Sequence, residues 1–305
     1  MRTGNPIKRR KQRDIAKDRV LYAFNYLFLL LIFIIVGYPL LIVASNSLSS
    51  PEAVTGGKVW LLPVDFSLEG YQAVFQDKSI VSGFRNSFFY MIVGTAINMV
   101  VTTLCAYPLS IKTLPGRRWF MLLFSFTMFF SGGMIPTYLL IYKLGMINTV
   151  WSMILPGAIS VWNMILMRTY FMNSVPGDIR EAAIIDGCSD FRYLVKILIP
   201  LSVPIMAVLV LYYAVGHWNS YFNALLYLRD TDLYPLQMVL RNILIMNNAS
   251  MDMLASDPEA MSLRIKMIDL VKYSVIVVAS LPLVILYPFI QKYFVQGIMV
   301  GSLKG

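Results

Sequence analysis

Charged residues along this chain are gathered into short blocks, and the stretches between them are long and apolar. Six windows of 19 or more residues hold no Asp, Glu, Lys or Arg: 20–51, 86–111, 119–142, 144–167, 197–228 and 273–291. A helix needs roughly 20 mostly apolar residues to cross about 30 Å of hydrocarbon. A charge at mid-span costs roughly 2.5–3.5 kcal/mol. Windows of this length without a single charge predict six spanning helices, at about 21–44, 87–110, 119–141, 150–170, 200–219 and 271–293. The class expected is an all-α membrane protein. Gly37 and Pro39 mark a kink in the first span, and Pro156-Gly157 a break in the fourth; membrane helices tolerate both. Ser50-Pro51 and Gly56-Gly57 place turns in the segment after the first span, and part of 67–86 reads as a short helix along the membrane. The organisation expected is a basic segment at 1–19, a six-helix domain over 20–294 with an inside loop at 171–198, and a tail at 295–305.

Composition agrees with this pattern: 58% of residues are hydrophobic and 14% charged, against about 25% charged in soluble domains. The net charge of +10 raises nucleic acid as a partner, but its distribution favours a membrane. With both termini in the cytoplasm, 17 of the 26 Lys and Arg fall inside and 9 outside, as the positive-inside rule requires. The run "KRRKQRDIAKDR" then serves as a topology anchor at anionic lipid headgroups. It carries no aromatic residue on which a base would stack, so no nucleic-acid role is expected. The first apolar segment is longer than the 7–15 residues of a signal-peptide core and ends without an A-x-A site, so it reads as a retained span. Cys105 and Cys188, far apart, give no disulfide framework.

Several chemistries are missing. One histidine and two distant cysteines do not build an ordinary zinc site, so no metal is expected. There is no H-E-x-x-H, no G-x-S-x-G and no G-x-x-x-x-G-K-[ST]. The chain therefore has no catalytic residues in view and no P-loop for ATP. Nor does any window hold a carboxylate, the group that ion-coupled transporters commonly place in the membrane. An ion-coupled secondary transporter of a small polar solute remains the alternative, because Asn, Ser and backbone carbonyls also bind sodium.

The inside loop is the most informative stretch. Pro176 suits the first turn of a helix, with Ser174 as its cap. "GDIREAAIIDG" follows for about two and a half turns and is stopped by Gly187. Ile179, Ala182, Ala183 and Asp186 share a face at 3, 4, 7 spacing, and the paired alanines make it shallow enough for another backbone to approach. Arg180, Glu181 and Asp186 have no opposite charge three or four residues away, so they read as free for solvent or another chain. "SDFRYLVKIL" then forms a second helix leading through Pro200 into the fifth span. A load on the first helix would reach a spanning helix through this short, bent connection.

These residues carry a specific resemblance. Glu181-Ala182-Ala183, then Gly187, then Ile197 and Pro200 resemble the cytoplasmic signature of ABC importer permeases, with Ile199 where the pattern has Leu. "LPVDFSLEGYQAVF", "HWNSYFNALLYL" and the terminal "QKYFVQGIMVGSLKG" are similar to the smaller permease of maltose-type carbohydrate importers, in the branch serving oligosaccharides. The resemblance covers nearly the whole chain and implies a type I importer permease fold in a bacterial plasma membrane. It also implies a second homologous permease, two ATP-binding subunits that hold ATP and Mg²⁺, an extracellular solute-binding protein, and a carbohydrate cargo. In that setting Glu181, Ala182, Ala183, Asp186 and Gly187 would form the coupling helix seated in the ATPase. Ile197 and Pro200 would connect it to the fifth span, and Gly297 and Gly301 in the tail would touch the ATPases.

A sugar site joins aromatic faces to hydrogen-bonding groups. Tyr212, His217, Trp218, Asn219 and Tyr221 cluster at the outer end of the fifth span, and Asn163 lies in the fourth. These six are the expected solute-path residues. An interfacial aromatic belt and a helix-to-helix amide contact are the alternatives for the same residues.

Overall fold

Why one charge-free window becomes a straight helix and the next a bent pair depends on where glycine, serine and proline interrupt it. In a computed structural model the backbone is described for residues 6–251, 271–288 and 291, and side chains for 19, 21–243, 271–288 and 291. The tail residues Gly297 and Gly301 lie outside these described residues. The elements are helical throughout. They run α1 (Pro6–Ser47), α2 (Pro51–Thr55), α3 (Glu69–Gln76), α4 (Lys78–Ser110), α5 (Arg117–Phe129), α6 (Met134–Lys143), α7 (Trp151–Ile154), α8 (Val161–Ser174), α9 (Gly177–Ile185) and α10 (Asp190–Tyr193). After a π-helical turn at Leu194–Leu198 come α11 (Ile199–Leu201), α12 (Val203–Trp218), α13 (Tyr221–Tyr227), α14 (Leu236–Met251) and α15 (Val271–Pro288).

Two compact units divide these residues, Met1–Val74 with Ala255–Val277, and Phe75–Leu254 with Val278–Gly305. In the first, α1 exposes its apolar residues from Leu21 to Leu41, as a lipid-facing helix does. Its end is fastened to the segment that follows: Ser45 Oγ donates to Leu61 O at 2.6 Å, and Ser47 Oγ and Tyr71 Oη lie 2.8 Å apart. Pro39 sits within the helix without ending it.

The second unit is built around α4. Asp77 caps this helix by accepting from the Ser79 and Ile80 amides. At 33 residues it is about 50 Å long, more than a bilayer core. Small and polar residues recur on it about every fourth position, at Gly83, Ser87, Gly94, Asn98, Thr102 and Ala106, and all are buried. Helices without water between them associate through such close-packing and hydrogen-bonding positions. A Cβ on Gly83 would crowd Leu236, and one on Gly94 would run into the His217 ring.

Three helices are long and apolar enough to cross a membrane unaided: Leu21–Ser47 within α1, α4, and α15. Two bent pairs raise the count among the described residues to as many as five. The straight helix expected at 119–141 is instead α5 and α6, turned by 111° where Ser131-Gly132-Gly133 intervenes, with Gly133 at φ 87°. The fifth expected span, at about 200–219, is α12 entered from α10, the π turn and α11 through a bend of 85°. That bend falls at Ser202, between Pro200 and Pro204, two residues that cannot donate to the preceding turn. The 150–170 stretch is α7, a 3₁₀ turn over Leu155–Gly157, and α8.

Breaking a helix at membrane depth frees backbone groups that must find partners inside the protein. Asn98 supplies one: its Nδ2 donates to Gly157 O at 2.5 Å. Tyr213 supplies another, accepting from Ser160 N at 3.3 Å while its hydroxyl lies 2.7 Å from Thr102 Oγ1. The polar seam of α4, with Tyr213 of α12, thus completes the broken backbone of its neighbour.

Candidate functional site

α9 owes its shape to its ends. Pro176 is its N-cap position and offers no side-chain cap, while Ser174 is the last residue of α8; Ser174 therefore closes the preceding helix and does not cap this one. Gly187, at φ 73°, ends α9 in a Schellman turn. Its amide donates to Ile184 O at 3.0 Å and that of Cys188 to Ala183 O at 2.9 Å. The turn reverses the chain and starts α10, capped by Ser189.

The reversal corrects the reading of the charges. Arg180 is paired: its Nη2 lies 3.1 Å from Asp190 Oδ1. Tyr107, near the end of α4, donates its hydroxyl to the same oxygen at 2.8 Å. A search at helical spacing misses a partner ten residues on because the turn at Gly187 brings it back. The Tyr107 hydroxyl and the Arg180 guanidinium hold the Asp190 carboxyl below its usual value. Among the described residues, Glu181 and Asp186 have no ion-pair partner.

The expected shared face also divides. Ala183 is buried and Ile179 packs beside it in the core formed with α4, α8 and α12, since residues four apart point the same way. Glu181, Ala182, Ile184 and Asp186 face outward. Ile185 is 86% exposed and Phe191 70%, so bulky apolar side chains stand on the free side where the sequence drew attention to alanines. Ile197 is half-buried in the π turn and Pro200 is exposed in α11. A cavity of about 340 Å³ opens between the ends of α4 and α8 and the start of α9, with Glu181, Arg180, Lys112 and Tyr107 on its walls.

The six expected solute-path residues do not converge. Trp218 is fully buried against Phe84 and Phe88, and its indole donates to Ala279 O at 3.1 Å; it is committed to packing and presents no face to a solute. His217 is half-buried, its Nε2–H donating to Asn98 Oδ1 at 2.7 Å, which fixes the amide that completes the α7–α8 break. Asn163 is buried in the first turn of α8. Tyr212, Asn219 and Tyr221 are exposed, and Asn219 Nδ2 donates to Val215 O. Asn98, Thr102 and Tyr107 on α4 were not singled out from sequence, whereas Tyr213 on α12 belongs to the aromatic run in which the solute path was sought. The signal for Asn98 and Thr102 is the four-residue recurrence of small and polar positions on α4.

The chain matches, over residues 4–300, the family described as binding-protein-dependent transport system inner membrane component. It is 40% identical to the polygalacturonan/rhamnogalacturonan transport system permease protein YtcP of Bacillus subtilis, covering 95% of this chain and 100% of that one. It is 27% identical to the arabinooligosaccharides transport system permease protein AraQ of Halalkalibacterium halodurans, over 88% of this chain and 91% of the relative. A crystal structure of a bacterial ABC transporter involved in the import of the acidic polysaccharide alginate contains a chain that superposes with a TM-score of 0.82 at 34% identity, covering 91% of this chain and 98% of that one. The fold is that of a type I ABC importer permease, and the chain belongs to the family of binding-protein-dependent transport system inner membrane components.

Proposed function

We propose that this chain is the transmembrane subunit of an ATP-driven carbohydrate importer of the bacterial plasma membrane, with α9 as the peg through which separate ATPase subunits move it. The observation that carries this reading is the way α9 is held. Its outer side offers Glu181, Ala182, Ile184 and Ile185 to a partner, while Ile179 and Ala183 root it in the core. Glu181 meets a cation in the ATPase cleft, and the isoleucines bury apolar area there. Two connections support such a load path. The Arg180–Asp190–Tyr107 tie joins α9 to α10 and to the end of α4, and the π turn and 85° bend carry α10 into α12. A pull on α9 then shifts α4 and α12 together and exchanges inward-open and outward-open arrangements.

Six crossings with both termini in the cytoplasm complete the proposed topology, α7 and α8 forming the broken fourth. A second homologous permease, two ATPases holding ATP and Mg²⁺, and an extracellular solute-binding protein complete the machine. Gly297 and Gly301 belong to the tail that meets the ATPases. The cargo we infer is an oligosaccharide, and more narrowly an acidic one, because a polygalacturonan/rhamnogalacturonan permease and an alginate importer are both among the similar proteins.

The test is ATP hydrolysis by the reconstituted complex with its binding protein. Oligogalacturonate or alginate oligosaccharides stimulate it and neutral malto-oligosaccharides do not. Glu181→Lys leaves the chain in the membrane but loses the copurifying ATPase. Normal uptake by Glu181→Lys, or uptake that follows an ion gradient and ignores loss of the ATPase, would refute the reading.

A further inference from the structure

A second cavity, of about 490 Å³, lies between the α4–α5 turn, α5 and α8. Four cations line it, Lys112, Arg117, Arg118 and Arg168, and no carboxylate does. Arg117 and Arg168 are half-buried, yet their recorded partners are neutral: Arg117 Nη2 donates to Met172 Sδ at 3.3 Å and Arg168 Nε to Leu109 O at 2.8 Å. Guanidinium groups drawn out of water beside one another, without a counter-charge, are unfavourable unless an anion joins them. The Arg168 bond to backbone uses Nε, so the donors of its two terminal nitrogens remain for an anion, which a guanidinium fork binds well as phosphate.

The remaining lining identifies what kind of anion. Met121, Leu122 and Ser125 follow Arg118 at helical spacing on α5, so the cavity runs from a cationic end to an apolar one along a single helix. Beyond it α5 exposes Leu123, Phe126 and Phe129. A small soluble anion uses only the cationic end; a phospholipid uses both. We propose that this cavity binds an anionic phospholipid, its phosphate among Lys112, Arg117, Arg118 and Arg168 and an acyl chain along Met121 and Leu122. Basic pockets between helices on the cytoplasmic side suit such headgroups, each cation contributing about 1 kcal/mol.

Native mass spectrometry of the full chain, delipidated in detergent and offered equimolar phosphatidylglycerol and phosphatidylcholine, tests this. Phosphatidylglycerol is retained preferentially, and Lys112→Gln and Arg118→Gln, both exposed positions, each weaken retention about fivefold. Lys143→Gln, an exposed cation at the end of α6, leaves it unchanged. Melting curves of the lipid-free variants that match the parent separate lost binding from lost folding. Equal retention of the two lipids overturns the proposal. So does displacement of phosphatidylglycerol by millimolar inorganic phosphate, which would mark a simple anion site. Release of the lipid when the other transporter subunits assemble would assign the cavity to a protein partner instead.

Discussion

Asn98 holds two groups that have no other role in view, the Gly157 carbonyl of a broken helix and the His217 imidazole. Asn98→Ala removes the partner of both, and since Gly157 is exposed and His217 half-buried, each lost bond costs about 0.5–1.5 kcal/mol. Thermal melting in detergent reads this, and His217→Phe combined with Asn98→Ala costs less than the two single changes summed, since they share one network. Unchanged melting of Asn98→Ala would mean that water serves the break equally well. The sequence pointed to His217 as a solute ligand because an aromatic and amide cluster at a span end is what a sugar site looks like. What decides its role is Asn98, 119 positions away, a distance no local pattern measures. Gly187 was legible for the opposite reason. A positive φ at a helix end is a local property, and glycine is its usual carrier. Gly187→Ala costs about 1 kcal/mol in the same assay and Gly187→Asn less, because asparagine tolerates that region.

Between α9, the proposed coupling helix, and the spans stands a tie of three side chains from three elements, Tyr107 on α4, Arg180 on α9 and Asp190 on α10. An exposed ion pair adds little stability, about 0–1 kcal/mol, and Asp190 has 66% of its side chain exposed. Its value lies in fixing α9 relative to α4. Tyr107→Phe and Asp190→Asn therefore leave melting and ATPase copurification nearly unchanged, and lower the sugar transported per ATP hydrolysed. An unaltered ratio would show that α9 is held by Ile179 and Ala183 alone. Because the folded Asp190 value is depressed, the tie is fully present above the unfolded carboxylate value and is lost only as pH falls through the lower folded one. The ratio is accordingly flat across neutral pH. The spans at 21–44 and 87–110 were legible from their charge-free windows, although α1 and α4 begin earlier, at Pro6 and Lys78, inside charged segments. Proline marked the break at Pro156-Gly157 and the bent entry to the fifth span at Pro200, but the bend at Ser131-Gly132-Gly133 carries neither proline nor charge and leaves an apolar window looking continuous.

Counting crossings is a question for the whole chain, and, with the bent α5–α6 pair taken as one span, it turns on α7 and α8. Neither is long enough to span alone: α8 has 14 residues, about 21 Å against about 30 Å of hydrocarbon. Joined through the 3₁₀ turn that Asn98 and Tyr213 complete, they can traverse it as a broken span. Parity then decides the machine. If this stretch crosses, α6 and α10 end on opposite faces, and α9 lies on the side proposed for the ATPase. If it does not, α9 would face outward, away from any source of ATP. The charge distribution favours the first arrangement, with 17 of 26 Lys and Arg on the proposed inner side. Single cysteines at Lys143 and Arg192, both exposed, in a background with Cys105 and Cys188 replaced by alanine, report it directly. In whole cells a membrane-impermeant maleimide labels Lys143→Cys, and Arg192→Cys only after permeabilisation. Labelling of both from the same side would remove the fourth crossing, and with it the mechanical link from the cytoplasm to α12 on which the transport reading depends.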